Sequence, residues 1–362
     1  MNRRVLLVSS TMMSGSNGPS KMIRMLNSEK AYLPFKLDVL TEDGDNTDAF
    51  SLKLRATRLL PQLGMFMRCV DYSWAAINLH RRNKFDVVVF NFAPFGLIFK
   101  MLTLRVPVVG FINDDTGVRY IRFTSAHQWI RSSALGFLDR LAARIFDLSI
   151  FNSKFLKQAY DQRLDCQNGI VLYKTHGVTR TKKMNPQKSR ARFQVCFVKA
   201  DYRTGNLQML YDSLNRLNWS SELVVIGPKK RPSWLTDTSL VQVKFLGPLP
   251  NLIALEHIER AHAFCVPSWR EALGVANMEA AMVGTPIIAT RVGGIPEVLD
   301  DSSAWMCEPT LESLVSALEK CRHFPLQSEL HAQEAYARVS SKFGKDTFID
   351  NFSSMIQHLC PQ

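Results

Sequence analysis

Glu271 and Glu279 stand eight positions apart in the stretch PSWREALGVANMEAAMVGTPIIATRVGGIPEVL, residues 267–299, with Gly274 between them. A carboxylate accepts two hydroxyl hydrogen bonds at once, which is how a vicinal diol such as a ribose is held. Gly274 permits a close backbone approach. The apolar periodicity that begins there marks a helix, whose first N–H groups are unpaired and carry the positive dipole end, a place for a phosphate. The expected ligand is a diphosphate flanked by two sugars, with one glutamate for the ribose and the other for the second sugar. The plainer reading of the same residues has Glu271 capping the helix and Glu279 in a surface ion pair.

Such a site needs strands whose carboxyl ends meet helix N-termini, because that is where doubly wound sheets bind ligands. The chain supplies them. Short apolar runs (RVLLVSS, FKLDVL, FDVVVFN, VPVVGFI, LSIFNS) alternate with helix-like segments from the first residues. Continuous apolar strands separated by helices predict a parallel sheet covered on both faces. The alternation stops in a polar, basic stretch containing Pro186, then restarts with QVCFV, ELVVIG, VQVKFLG, AFCVPS and PIIATRV. Two doubly wound α/β domains follow: residues 1–178, a basic linker at 179–193, and residues 194–344. Apolar residues at helical spacing in GKDTFIDNFSSMIQHL predict a closing amphipathic helix over 345–362.

The string Pro267-Ser268, Glu271, Gly274, Glu279-Ala280, Gly284-Thr285-Pro286 and Gly293-Gly294-Ile295-Pro296-Glu297 resembles the donor-site signature of retaining glycosyltransferase family 4. More loosely, FNSKFLKQAY, HGV and KFLGPL recur in that family's order. The resemblance implies the B-type glycosyltransferase fold, two Rossmann-like domains facing across a cleft, with the last helix returning to the first domain. It implies that Glu279 binds the ribose hydroxyls and Glu271 the transferred sugar. Gly274 and Val275 would meet the sugar and pyrophosphate, and the loop at Gly247 the base. The loop bearing Gly15 and Gly18 would line the cleft near the acceptor and the leaving phosphate, although a simple tight turn reads equally well from those glycines.

The chain departs from the family in CFVKADYRTGNLQML, where Lys199 replaces an arginine and Thr204 a lysine. Lys199 and the adjacent Arg203 then supply charge to the leaving diphosphate, with a point charge where Arg would give a bidentate fork. A second departure is Asn113 in FINDDTGVRY, where relatives carry a histidine before the acid. Asp114 there is a candidate to contact an acceptor hydroxyl, or a helix cap. No GxGxxG fingerprint is present, which argues against NAD. Asp43 and Asp45 have acid-x-acid spacing but lie in a turn-rich loop remote from the expected diphosphate, so no metal and no other cofactor is expected. His176 reads as a turn residue.

At 362 residues with 46% hydrophobic content, the chain suits two folded domains. No apolar run reaches spanning length, and the start reads as a buried strand rather than a signal peptide. Cys69, Cys166, Cys196, Cys265, Cys307, Cys321 and Cys360 are odd in number and scattered, which predicts neither disulfides nor zinc and fits a reducing, cytoplasmic compartment, where the sequons at Asn218 and Asn351 carry no meaning. The net charge of +13 is uneven, with 25 Lys+Arg against 14 Asp+Glu over residues 1–180 and 20 against 18 beyond. Segments 52–82 and 118–144 mix bases with large apolar residues, which suits a first domain that docks on an anionic membrane surface, peripheral at the inner face of the cell membrane, or on a lipid-linked acceptor; the plainer reading packs the apolar residues on the sheet and leaves the bases facing water. No nucleic-acid motif accompanies the charge. The expected function is retaining transfer of a hexosyl unit from a nucleotide-sugar donor to a glycan or lipid-linked hydroxyl, in bacterial polysaccharide or glycolipid assembly. The rival is a non-catalytic binding or scaffolding partner that keeps the fold.

Overall fold

The computed structural model describes residues 3–10, 18–44, 49–60, 63–114, 126–164, 166, 168–175, 178 and 192–359. Gly15, Asp45, Asp115, His176 and all but the last two residues of the expected linker lie outside them. The chain divides into two compact units, Met1–Gly177 with Lys345–Gln362, and Val178–Gly344.

In the first unit the strands are β1 (Arg4–Val8), β2 (Lys36–Thr41), β3 (Phe50–Ser51), β4 (Val87–Phe90), β5 (Val108–Ile112), β6 (Leu148–Phe151) and β7 (Gly169–Val171). They form one parallel sheet in the order β3-β2-β1-β4-β5-β6-β7. Successive side chains of a strand point to opposite faces, so a strand buried on both faces reads as an unbroken apolar run. In β1, Leu6 and Val8 pack into one core and Val5 and Leu7 into the other; in β4, Val88 and Phe90 divide from Val87 and Val89 in the same way. The helices are α1 (Gly18–Ser28), α2 (Arg55–Leu59), α3 (Gly64–Asn83), α4 (Leu97–Leu102), α5 (Ala126–Ile145) and α6 (Lys154–Leu164). Asp71 of α3 holds the short α2 by accepting from Ala56 N at 2.8 Å, Thr57 N at 2.9 Å and Thr57 Oγ1 at 2.8 Å.

The second unit carries β8 (Phe193–Val198), β9 (Ser221–Ile226), β10 (Val241–Gly247), β11 (Ala263–Cys265), β12 (Ile287–Thr290) and β13 (Trp305–Cys307), all parallel, in the order β10-β9-β8-β11-β12-β13. Its helices are α7 (Leu207–Asn215), α8 (Asn251–Arg260), α9 (Val275–Met282), α10 (Ile295–Val298), α11 (Leu311–His323) and α12 (Pro325–Lys342). The strand order reverses between β8 and β11, so the loops leaving those two strands diverge to opposite faces and open a crevice at their carboxyl ends.

The last helix, α13 (Lys345–Leu359), belongs to the first unit. Phe348, Phe352, Met355 and Ile356 recur at helical spacing and enter the core that holds Val5 and Leu7. Lys345 Nζ meets Glu29 Oε1 at 2.9 Å. The six described cysteines are free and buried, and burial pushes the thiols of Cys69, Cys196 and Cys307 up to about 12. No described helix is long and apolar enough to cross a membrane.

Candidate donor site at the carboxyl ends of the second sheet

Residues 72 positions apart meet at the switch point of the second sheet: Lys199, the first residue after β8, pairs its ammonium with the Glu271 carboxylate in the loop after β11. Both side chains are only 23% exposed. Ser268 Oγ lies 3.4 Å from Lys199 Nζ. The neighbouring strand ends are tied into the same floor. Lys199 N donates to Ile226 O at 3.1 Å, and Gly227 N donates to Gly247 O at 2.8 Å. Gly227 (φ +114°) presses on Lys199: a Cβ there would stand 2.7 Å from the Lys199 carbonyl carbon. Gly247, at the end of β10, has φ +68°.

Helix α9 opens at Gly274, its N-cap, in the left-handed region with φ +95° and with no side-chain cap. A glycine N-cap offers the first backbone donors of α9 no side-chain cap, and the positive dipole end there suits an anion. Val275 is the first helical residue and Glu279 lies one turn in, 6% exposed. The GG pair of the sequence motif acts through space. Gly294 N donates to Glu271 O at 3.0 Å, and a Cβ on Gly293 would fall 1.9 Å from that same oxygen. Only a chain without side chains passes so close, so the loop after β12 buttresses the loop that carries Glu271. Thr290 Oγ1 reinforces this by donating to Ser268 O at 2.9 Å.

Lys199, Glu271, Gly274, Val275, Glu279 and Gly247 thus lie along one edge of one sheet. Arg203 is placed differently from Lys199. Its guanidinium sits 5.9 Å from the centre of the Tyr202 ring and lines a separate hollow beside α7. Sequence reasoning saw Ser268 only as part of the motif, with no role assigned, and overlooked Asn277. The latter is 3% exposed on the first turn of α9, and its Oδ1 has no hydrogen-bond partner. A serine or asparagine near a helix start is too common to single out.

In the first unit, Gly18 begins α1, and Asp114 follows β5. The carboxyl ends of that sheet are laced by amides: Asn91 Nδ2 donates to Ser9 Oγ at 3.0 Å, Asn152 Nδ2 to Asn113 O at 3.0 Å, and Asn113 Nδ2 to Asn91 O. Lys174, beyond β7, donates to Asn113 Oδ1 and lies over Phe111. It is 3% exposed, and burial lowers its pKa to about 7 despite the opposing pull of Asp114. Nothing in the sequence announced a buried lysine there. Asn113 is the hub of this network. Among the described residues no group of three ligating side chains could hold a metal.

Residues 192–322 match the family model described as glycosyl transferases group 1. One component of human phosphatidylinositol N-acetylglucosaminyltransferase is 40% identical over 79 residues, 22% of this chain and 16% of that protein. Glycogen synthase of Mycobacterium tuberculosis is 28% identical over 141 residues, 37% of this chain and 34% of that enzyme. The chain thus aligns with about a third or less of these curated relatives. Among solved structures, sucrose-phosphate synthase from Thermosynechococcus elongatus superposes with a TM-score of 0.82 at 16% identity, covering 99% of both chains. Anabaena Alr3699/HepE in complex with UDP-glucose gives 0.72 at 16% identity, over 98% of this chain and 99% of that one. At that identity the structural likeness establishes the fold, and the family match falls on the half that carries Lys199, Glu271 and α9. Residues 192–322 of the second domain are thus similar to the glycosyl transferases group 1 family, on a chain with the two Rossmann-like domains of the B-type glycosyltransferase fold.

Proposed function

We propose that the protein transfers a hexosyl unit, with retention, from a nucleotide-sugar donor to a hydroxyl of a glycan or lipid-linked acceptor in bacterial polysaccharide or glycolipid assembly. The observation that carries this reading is the Lys199–Glu271 pair at the switch point, beside the uncapped start of α9 and one turn from Glu279. Glu279 takes the ribose hydroxyls. The diphosphate meets the N–H groups at Gly274 and Val275 and draws Lys199 away from Glu271, which frees that carboxylate to accept hydroxyls of the sugar. Charge relief for the diphosphate then comes from Lys199 and the helix dipole, with no metal required. The bond from the anomeric carbon to the phosphate oxygen breaks, the acceptor oxygen joins on the same face, and its proton passes to the leaving diphosphate. Asp114 and the loop at Gly18 serve the acceptor side in this reading. The complex bound by HepE, UDP-glucose, supports a uridine nucleotide as the first donor to try.

Peripheral attachment to the inner face of the membrane is part of the proposal. Its support is a hollow of about 740 Å³ beside α2 and α3, where Phe50, Leu59 and Trp74 alternate with Lys53, Arg55 and Arg82. Leu59 is 80% and Trp74 54% exposed. Bases around exposed apolar side chains suit an anionic lipid surface.

The test is incubation with a panel of nucleotide sugars and lipid or glycan acceptors, following release of nucleoside diphosphate and the anomeric configuration of the product by NMR. Transfer with retention is expected, slowed at least tenfold in Lys199→Met. A product of inverted configuration removes the retaining mechanism, and a protein that transfers from no donor supports a binding or scaffolding role.

A further inference from the structure

Beside α7 lies a hollow of about 500 Å³, within the size range of small-ligand sites, that includes none of Lys199, Glu271, Gly274 or Glu279 in its wall. Tyr202, Trp234 and Trp269 form its aromatic wall, and Arg203, Gln208 and Asp212 supply its polar groups. These come from three separate chain segments, and the structure locks them together. Tyr211 Oη donates to Thr236 O at 2.9 Å, fixing the loop that bears Trp234 against α7. Trp269 N donates to Thr204 O at 3.2 Å, joining the loops after β11 and β8. Trp234 also touches Tyr202 and Tyr211, at centroid distances of 6.2 and 5.9 Å. Despite this order, Trp269 leaves 54% of its surface in water. Rings held in place at a hollow lose little entropy when a ligand covers them.

We propose that this hollow binds a neutral pyranose unit of a glycan, as a site separate from the donor site. The C–H faces of a pyranose carry slight positive charge and pack on the negative face of an aromatic ring, while its rim of hydroxyls needs both donors and acceptors. The wall provides both: a guanidinium that donates, a carboxylate that accepts two hydroxyls, and an amide that does either. One cation and one acid offset each other, so the lining does not select a charged ligand. Ring geometry separates sugar from nucleobase. Tyr202 and Trp234 meet at 64°, forming a corner that receives a puckered ring and not the parallel-walled slot that grips a flat base. Because Tyr202 and Trp269 sit on the loops that carry Lys199 and Glu271, a glycan held here is anchored next to the donor site, which suits an enzyme that works repeatedly on one chain.

The experiment titrates the full chain, with no donor present, with tetrasaccharides of glucose, mannose and N-acetylglucosamine, by calorimetry and tryptophan emission. At least one saccharide should bind saturably at millimolar concentration or below. Trp269→Ala, a truncation of an exposed side chain, and Asp212→Asn should each weaken it about tenfold or more while nucleoside diphosphate affinity stays unchanged. Absence of binding by every saccharide overturns the proposal. So does binding that both variants retain, which places the site elsewhere, and so does displacement of the saccharide by free uridine or adenosine, which makes the hollow a nucleobase slot. With no donor in the calorimeter cell, a failure of sugar transfer leaves this readout unaffected.

Discussion

Gly293→Ala perturbs the candidate site without touching any ligand. The new Cβ would stand 1.9 Å from Glu271 O and 2.9 Å from its carbonyl carbon, whereas real Cβ contacts stay above 3.0 Å. Both atoms are backbone, so no side-chain rotation relieves the clash, and the Glu271 loop must retreat by roughly 1 Å. Displacement of that order at a positioning group costs about a hundredfold in rate. Gly293 also has φ +58°, where alanine costs about 1–2 kcal/mol. The Gly294 N–H to Glu271 O bond of 3.0 Å is strained as well, adding about 0.5–1.5 kcal/mol. A total of about 1.5–3.5 kcal/mol lowers the melting midpoint of a unit this size by roughly 3–14 °C. Calorimetry and turnover on the purified variant measure both effects. A midpoint within a degree or two of wild type, with full turnover, would refute the buttress and with it the positional role of Glu271.

Three further outcomes follow from the first unit. For Lys174, whose native pKa of about 7 lies below the ordinary 10.5, the unfolded chain binds more protons between those values, so wild-type stability rises relative to Lys174→Met as pH climbs from 7 toward 10; chemical denaturation across that range should show the gap moving in that direction, and a constant gap would deny the burial effect. Asp71→Ala removes three bonds to the start of α2 and should cost about 1–2 kcal/mol by urea unfolding, an unchanged midpoint counting against the tether. Co-sedimentation should show binding to vesicles containing anionic lipid, falling as salt rises and lost when Leu59 and Trp74 are replaced by serine, whereas indifference to lipid charge at low salt would favour a soluble acceptor.

The long strands were legible because burial on both faces leaves unbroken apolar runs: RVLLV, VVVF, VVGFI and SELVVI each became a central strand. The two-residue β3 and three-residue β7 and β13 were not, since a run so short carries no period of its own; the three-residue β11 was legible because AFCVPS leads straight into the motif. Helices α11 and α12 expose much of their surface and went unread, while α13, with Phe348 and Phe352 on one face, was plain. At the site, Glu271 before a helix and Glu279 within it followed from local pattern. The pairing of Lys199 with Glu271 did not, because 72 residues of chain separate them and only strand order brings them together. The motif glycines at 293 and 294 were visible as letters, but their purpose is a through-space approach that no spacing encodes. Arg203, close to Lys199 in sequence, turned its side chain to Tyr202, which adjacency alone could not foretell.

The central claim is that α9 presents a nucleotide-sugar site in which the buried Glu279 holds the ribose. Calorimetric titration with nucleoside diphosphates, comparing wild type with Glu279→Ala, tests it most directly. One diphosphate should bind the wild type, and the variant should lose about 1.5–3 kcal/mol of that affinity, the scale of a charge-assisted hydrogen bond. Equal affinity of the two proteins for the best nucleotide would contradict the site.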